Sequence, residues 1–224
     1  MLMNFFRSTS IIVLTIFAFL NGEISWQETG LSSGKVYDLA EMSDGTILAY
    51  TADGLYKSQD EGTTWALTGL TSLPVTGWAV PAMNAEVIAV GSDDRVFVVE
   101  AHTASSTDES FIYYSDDLTT WYVADIGETP YKITSIAINP ITGDVYAGVS
   151  EGWGCTDCGI FRSTNNGATF TNVYEKSGTP SSIDYEHWAF TSDGTIFVTN
   201  DASSSGTDHL VLKSSDGTTW ETAG

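Results

Sequence analysis

The chain has 224 residues, 29 of them Asp or Glu against 8 Lys or Arg, giving a formal net charge of −21. That balance excludes nucleic-acid binding of the usual kind, because neutralising phosphates requires a clustered Lys/Arg surface that these residues cannot assemble. With 42% hydrophobic and 12% aromatic residues, the chain can fill a packed core and is not a disordered acidic tail.

In chain order, residues 1–22 come first and read as a secretory signal peptide. Arg7 supplies the positive charge, Ile11 to Leu20 form an apolar run, and Asn21-Gly22 break it near the expected cleavage point. Ten apolar residues are too few for a membrane span, which needs about 20. The expectation is an exported protein, periplasmic, secreted or on the cell surface, with no membrane association once the leader is removed.

From residue 23 onward the chain repeats itself. Tyr56 to Trp65 (YKSQDEGTTW) and Phe161 to Phe170 (FRSTNNGATF) share one pattern: aromatic, cation, Ser, x, Asp or Asn, x, Gly, x, Thr, aromatic. Tyr114 to Trp121 and Lys213 to Trp220 carry shorter copies. The repeats run over about 26–64, 65–120, 121–169 and 170–219, and a period near 50 is the length of a four-stranded propeller blade. Between the boxes, Ser43-Asp44-Gly45-Thr46, Thr142-Gly143-Asp144 and Ser192-Asp193-Gly194-Thr195 precede apolar runs, as hairpin turns do. Each unit reads as strand A, a tight turn, strand B, a loop, strand C, the box, and strand D starting at the box aromatic. Strands such as Val96 to Val99 are apolar on both faces, as blades covered on both sides require. No stretch after residue 22 shows helical periodicity, so an all-β chain is predicted.

The box has its own physical logic. An Asp or Asn oxygen accepts N–H groups of its own turn, Gly supplies positive φ, and the hydroxyls satisfy the remaining turn backbone. The pattern resembles the Asp-box, or BNR, repeat of β-propellers. It is carried by Ser58, Asp60, Gly62, Thr64 and Trp65; by Ser163, Asn165, Gly167, Thr169 and Phe170; and by the shortened copies Ser115, Asp117, Trp121 and Ser214, Asp216, Trp220. The resemblance implies a propeller of four-stranded antiparallel blades in which the box is a structural turn remote from the working face. Four blades are present, and the ring either closes by strand exchange or belongs to a larger one. Trp26 to Leu31 and Trp220 to Gly224 both resemble the D segment Trp65 to Leu70. Known Asp-box propellers include sialidases, xyloglucan-cleaving glycosidases, sortilin-type receptors and photosystem II assembly factors, so the fold leaves activity open.

Binding is expected on the long B–C loops opposite the boxes, at 100–110, 150–159 and 200–209, whereas the first, Ala52-Asp53-Gly54, is minimal. Ligand contacts are expected from Trp153, as a stacking platform, and from His102 and His209. A sialidase would need three arginines for its substrate carboxylate; beyond the leader there are Arg95 and Arg162. A two-carboxylate glycosidase has the candidates Asp108, Glu109, Glu151, Asp201 and Asp208. Cys155 and Cys158 are expected to form a local disulfide, since neither a four-ligand zinc site nor a helix N-terminus for redox chemistry is at hand. Cofactors are expected to be none; residues 200–208 are rich in oxygen donors for calcium but lack EF-hand spacing. The sequence therefore predicts a monomeric, non-catalytic binding module for a polysaccharide or an exported or cell-surface protein. Its alternatives are a glycoside hydrolase with catalytic residues partly outside this chain, and an assembly factor docking on another protein.

Overall fold

Strands form wherever β-branched and aromatic residues lie between the turn signals. The computed structural model describes residues 29–32, 35–51, 53–71, 86–100, 110–127, 132–150, 159–175, 183–202 and 210–223. These build four sheets of four strands each, every sheet in simple up-and-down order. The first contains β1 (Val36–Glu41), β2 (Ile47–Thr51), β3 (Gly54–Ser58) and β4 (Ala66–Thr71). The second contains β5 (Ile88–Val90), β6 (Val96–Val99), β7 (Ile112–Ser115) and β8 (Tyr122–Val123). The third contains β9 (Lys132–Ile138), β10 (Val145–Ser150), β11 (Gly159–Ser163) and β12 (Thr171–Glu175). The fourth contains β13 (Ile183–Phe190), β14 (Ile196–Ala202), β15 (Leu210–Ser214) and β16 (Glu221–Thr222). No helix occurs among the described residues. The sheets are the blades of an all-β propeller, and each sequence repeat begins one strand earlier than the sheet, with strand D of the blade before it.

Register makes the four units equivalent. The box Ser stands opposite the first residue of strand B every time: Ser58 across from Ile47, Ser115 from Val96, Ser163 from Val145, Ser214 from Ile196. Strand B is the best-buried strand of each blade. In the second and third it is apolar on both faces and fully covered, at Val96 to Val99 and at Val145 to Val149. Strand D is mostly exposed, and in the second and fourth blades it is two residues long, an outer edge short enough to resist pairing with other chains. One buried cluster joins the first three blades through Leu48, Phe97, Leu118, Ile136 and Phe161. A second joins the third and fourth through Tyr146, Ile160, Trp188, Val198 and Leu212. Blades contact each other in chain order, β1 on β5, β5 and β6 on β9, β9 and β10 on β13. Among the described residues the fourth blade makes no comparable contact with the first.

The turns explain why the boxes tolerate variation. Ser58 Oγ accepts the Gly62 N–H at 2.9 Å, and Asp60 Oδ1 accepts the Thr64 N–H at 2.8 Å while Thr64 Oγ1 donates to Oδ2 at 2.6 Å. Asn165 keeps this arrangement with one reversal: its Nδ2 donates to Thr169 Oγ1 at 2.8 Å. In the shortened boxes a single carboxylate oxygen accepts two consecutive N–H groups, Thr119 and Thr120 at Asp117, Thr218 and Thr219 at Asp216. Shortening has a cost at the aromatic. Trp65 Nε1 donates to the Gly62 carbonyl at 3.0 Å, whereas Trp121 and Trp220 bury Nε1 without a partner.

Candidate functional site

Antiparallel order places the A–B turns and the boxes at one end of each blade and the B–C connections at the other. The box end is occupied by joints between blades. A Cβ on Gly167 would come within 2.1 Å of the Phe97 ring, and one on Gly217 within 2.1 Å of the Tyr146 hydroxyl. Phe97 and Tyr146 hold the same position, second in strand B, on the preceding blade. The first joint has Leu48 there instead, and the matching box residue is Leu118, held at φ 58° in the same buried cluster. A large B-strand ring thus meets glycine, and a smaller side chain meets leucine.

Both arginines are used at these joints. Arg95 donates from Nη1 to the Asn166 carbonyl of the next box at 2.8 Å, grips Asp116 through Nε and Nη2 at 2.6 and 2.8 Å, and lies 5.0 Å over the Tyr114 ring. Arg162 repeats this one blade later. Its Nη1 donates to the Asp216 carbonyl at 3.0 Å, its Nε and Nη2 to Asp144 at 3.2 and 2.6 Å, and it lies 5.8 Å over Tyr146. Strand D adds a third element. Gly69 N–H donates to the Leu118 carbonyl at 2.9 Å, and Gly30 N–H reaches the Gly62 carbonyl at 3.3 Å in the same way. At the third box Asp125 takes this place, donating to the Ala168 carbonyl and accepting from Phe170. Hydrogen bonds from Thr219, Thr218 and their hydroxyls hold the Asp216 carboxyl well below the usual range, and Asp60 and Asp117 are lowered by their own turns.

The opposite end has a floor of buried polar residues at the close of strand B: Thr51, Glu100, Ser150 and Asn200. Tyr113 donates to Glu100 Oε2 at 3.0 Å, and burial, then the neighbouring Glu100 charge, pushes the phenol up to about 12. Asn200 Oδ1 accepts the Leu210 N–H at 2.8 Å, closing the base of the fourth B–C connection. Of the residues expected to bind or catalyse, His102, Asp108, Glu109, Glu151, Trp153, Asp208 and His209 lie outside the described residues, as do Cys155 and Cys158. Asp201 belongs to β14, opposite Asp184. Among the described residues no group of three or more His, Cys, Asp or Glu is placed to hold a metal ion.

Sequence reasoning overlooked one constellation near the innermost strands. Asp38 on β1 accepts the Val87 and Ile88 N–H groups through Oδ2 at 2.8 and 3.0 Å. Glu86, next to them, is half-buried, and its carboxyl is raised by that burial and by the Asp38 charge, against the opposing pull of His187 and the Trp188 N–H. Residues 38, 86 and 187 are far apart in sequence and share no motif, so nothing short of the folded blades could have grouped them.

No family model matches the chain, and no curated protein is similar to it. Solved structures share its architecture. A GH74 enzyme from Niastella koreensis superposes with a TM-score of 0.59 at 22% identity, over 84% of this chain and 30% of that one. An ancestral GH74 enzyme gives 0.61 at 15% identity, over 89% and 27%. The extracellular domain of a one-component system from B. thetaiotaomicron gives 0.56 at 14% identity, over 88% and 23%. The chain therefore spans less than a third of each of these propellers, and at such identities the likeness is one of fold.

Proposed function

We propose that this chain is an exported, non-catalytic propeller of the Asp-box type that binds a polysaccharide or a cell-surface protein through its B–C connections. One observation carries the reading: the two ends of the blades are built differently. The box end is uniform, with the same Ser register in all four blades and the arginines engaged in joints. The other end varies from a two-residue connection at 52–53 to the long acidic and aromatic segments that carry Trp153, His102 and His209. Variable loops on a rigid scaffold are where recognition evolves. The turn hydrogen bonds at Ser58, Asp60 and Thr64 and their counterparts support the Asp-box assignment, and the extracellular domain among the similar structures supports export. The test is retention on immobilised plant and bacterial polysaccharides and on a cell-surface protein array, with Trp153→Ala beside the unaltered chain. Binding that weakens about tenfold or more in the variant supports the proposal; equal binding by both chains, or none by either, refutes it.

A glycoside hydrolase is the second reading, and the Glu86 and Asp38 constellation favours it. Half-burial keeps Glu86 more easily protonated than an ordinary carboxyl, as a general acid requires, with a second carboxylate beside it. Release of reducing ends from xyloglucan or related glycans, abolished in Glu86→Gln, would select this reading over the first.

A further inference from the structure

We propose that Asn166-Gly167, in the third box, is a self-modifying site: it converts to aspartate and isoaspartate through its own backbone, the joint with the second blade gates that conversion, and the converted joint stays weakened. The turn itself selects the reactive pair. Asn166 stands at φ 58° and Gly167 at φ 80°, and Asn and Gly are the residues that adopt this conformation with least strain. The first box meets the same need with Glu61 at φ 56° before Gly62, a pair without an amide to lose. Glycine's lack of a side chain leaves its backbone nitrogen open to approach from the residue before it. Asn166 is exposed to solvent, and the other Asn-Gly pair of the chain, Asn21-Gly22, falls within residues 1–22.

Water is the one co-reactant. The Gly167 nitrogen gives its proton to solvent base and attacks Cγ of Asn166. A C–N bond forms, the Cγ–Nδ2 bond breaks, and Nδ2 leaves as ammonia after taking a proton from water. The product is a succinimide ring, which water opens at either carbonyl. Breaking the new bond gives aspartate on the ordinary backbone; breaking the original peptide bond gives isoaspartate, whose main chain runs through Cβ. Either way an amide is exchanged for a carboxylate, and nothing is oxidised or reduced.

In the closed joint neither reacting group is free. Gly167 N–H donates to Ser163 Oγ at 2.9 Å, and Asn166 Nδ2 donates to Asp93 Oδ2 on the second blade at 3.1 Å. Arg95, gripping Asp116, holds the Asn166 carbonyl at 2.8 Å, and the Phe97 ring packs over Gly167. Ring closure brings Cγ onto the Gly167 nitrogen, which means leaving Asp93 and giving up the bond to Ser163. Conversion therefore proceeds from the opened joint, and its rate follows the population of that state. The product then lacks what closed the joint. Aspartate sets a carboxylate against Asp93 where the amide donated, so like charges meet. Isoaspartate lengthens the main chain by one carbon, displacing the carbonyl that Arg95 reaches and the glycine that Phe97 covers.

The test holds the purified chain in mildly alkaline buffer at body temperature for several weeks and follows residue 166 by peptide mapping and mass spectrometry, with an isoaspartate methyltransferase marking the isoaspartyl product. Conversion should accumulate in the folded chain, about a hundredfold or more slower than in guanidinium chloride. Arg95→Met and Asp93→Ala, which each free part of the joint, should speed it about tenfold. Asn166→Glu copies the first box and should abolish it at this position. The converted chain, separated by its added negative charge, and Asn166→Asp should both unfold at lower urea concentration than the parent. No conversion in the folded chain overturns the proposal, as does conversion at the same rate folded and unfolded. Unchanged rates in Arg95→Met and Asp93→Ala overturn the gating by the joint, and an unchanged urea midpoint after conversion overturns its weakening. If one of the two joint variants unfolds, the other carries the test.

Discussion

Replacing Gly167 with Leu tests the size matching at the joints. The residue sits at φ 80°, where an L side chain is strained by about 1–2 kcal/mol. Its Cβ would also lie 2.1 Å from Cε1 of the Phe97 ring, well inside contact distance. Phe97 is fully buried, so its ring has little room to move, and overpacking of this kind costs about 1–3 kcal/mol. The two effects together give about 2–5 kcal/mol, a large share of the 5–15 kcal/mol typical of a folded domain. The first joint shows how to relieve it, since Leu48 there coexists with Leu118 at φ 58°. In a Phe97→Leu background, the Gly167→Leu cost should therefore fall to the backbone component, about 1–2 kcal/mol. The assay is urea unfolding followed by tryptophan fluorescence for the four chains of the double-mutant cycle. A favourable coupling of about 1–3 kcal/mol between the two substitutions is expected. Strictly additive costs would refute the idea that ring size and box glycine are matched, and no loss in the single variant would refute the packing itself.

Arg162→Met removes the grip on Asp144 and the reach to the Asp216 carbonyl, leaving a mostly buried carboxylate unpaired. A loss of about 3–5 kcal/mol by urea unfolding is expected, and Arg162→Lys should recover only part of it because a point charge cannot stack and fork at once. Trp188→Phe deletes the Nε1 donation to Ser135 Oγ at 2.8 Å and should cost about 1 kcal/mol in the same assay. The box carboxyls set the acid limit. Asp60, Asp117 and Asp216 titrate lower when folded, so the stability they supply is present above the unfolded carboxyl range and is lost as pH falls through their lowered values. Melting temperature should drop below about pH 4, and Asp216→Asn should flatten that limb. Glu86 has the opposite sign, because its folded value is raised. Its contribution improves as pH falls through that value, so Glu86→Gln should stabilise the chain more at pH 7 than at pH 4; an effect of equal size at both pH values would contradict the burial argument.

The fold was legible because the repeated unit writes its turns in side chains that bond locally. Ser58, Asp60, Gly62 and Thr64 all contact one another within seven residues, so a linear pattern records the whole device. The strands between boxes followed from the same punctuation, and the Ser register shows that the shortened copies at 115–121 and 214–220 kept their place. Joints were harder to read. The pairing of Phe97 with Gly167 spans two blades, and neither residue betrays its partner, although a bulky second residue in strand B beside a glycine box is a signal once the register is known. Arg162 could be read as an ordinary cation before a box, yet its forked bond to Asp144 and its reach to Asp216 depend on the neighbouring blade. The Asp38, Glu86 and His187 group lies furthest from legibility, since its members meet only because β1, β5 and β13 are brought together by packing.

These joints bear on where recognition can lie. A cation needed for an anionic ligand would have to be free, but Arg95 and Arg162 each spend their donors on a carboxylate and a box carbonyl. Releasing either one to a ligand would open a joint, and releasing Arg162 would also strand the mostly buried Asp144, a penalty that a surface ligand could hardly offset. Arg95 and Arg162 are therefore withheld from an anionic ligand, which among the described residues would have to be held by Lys35, Lys57, Lys132 or Lys213 instead; under the proposed binding reading, ligands held by stacking and by hydrogen bonds are expected to be preferred. The polar floor points the same way. Glu100, Ser150 and Asn200 carry no positive charge and lie buried at the base of the B–C connections, Glu100 engaged by the Tyr113 hydroxyl and Asn200 by the Leu210 N–H. A neutral polysaccharide matches that chemistry, and competition between a neutral and a sulfated form of one glycan would expose the preference directly: binding that favours the sulfated form would show that cations outside the joints govern recognition.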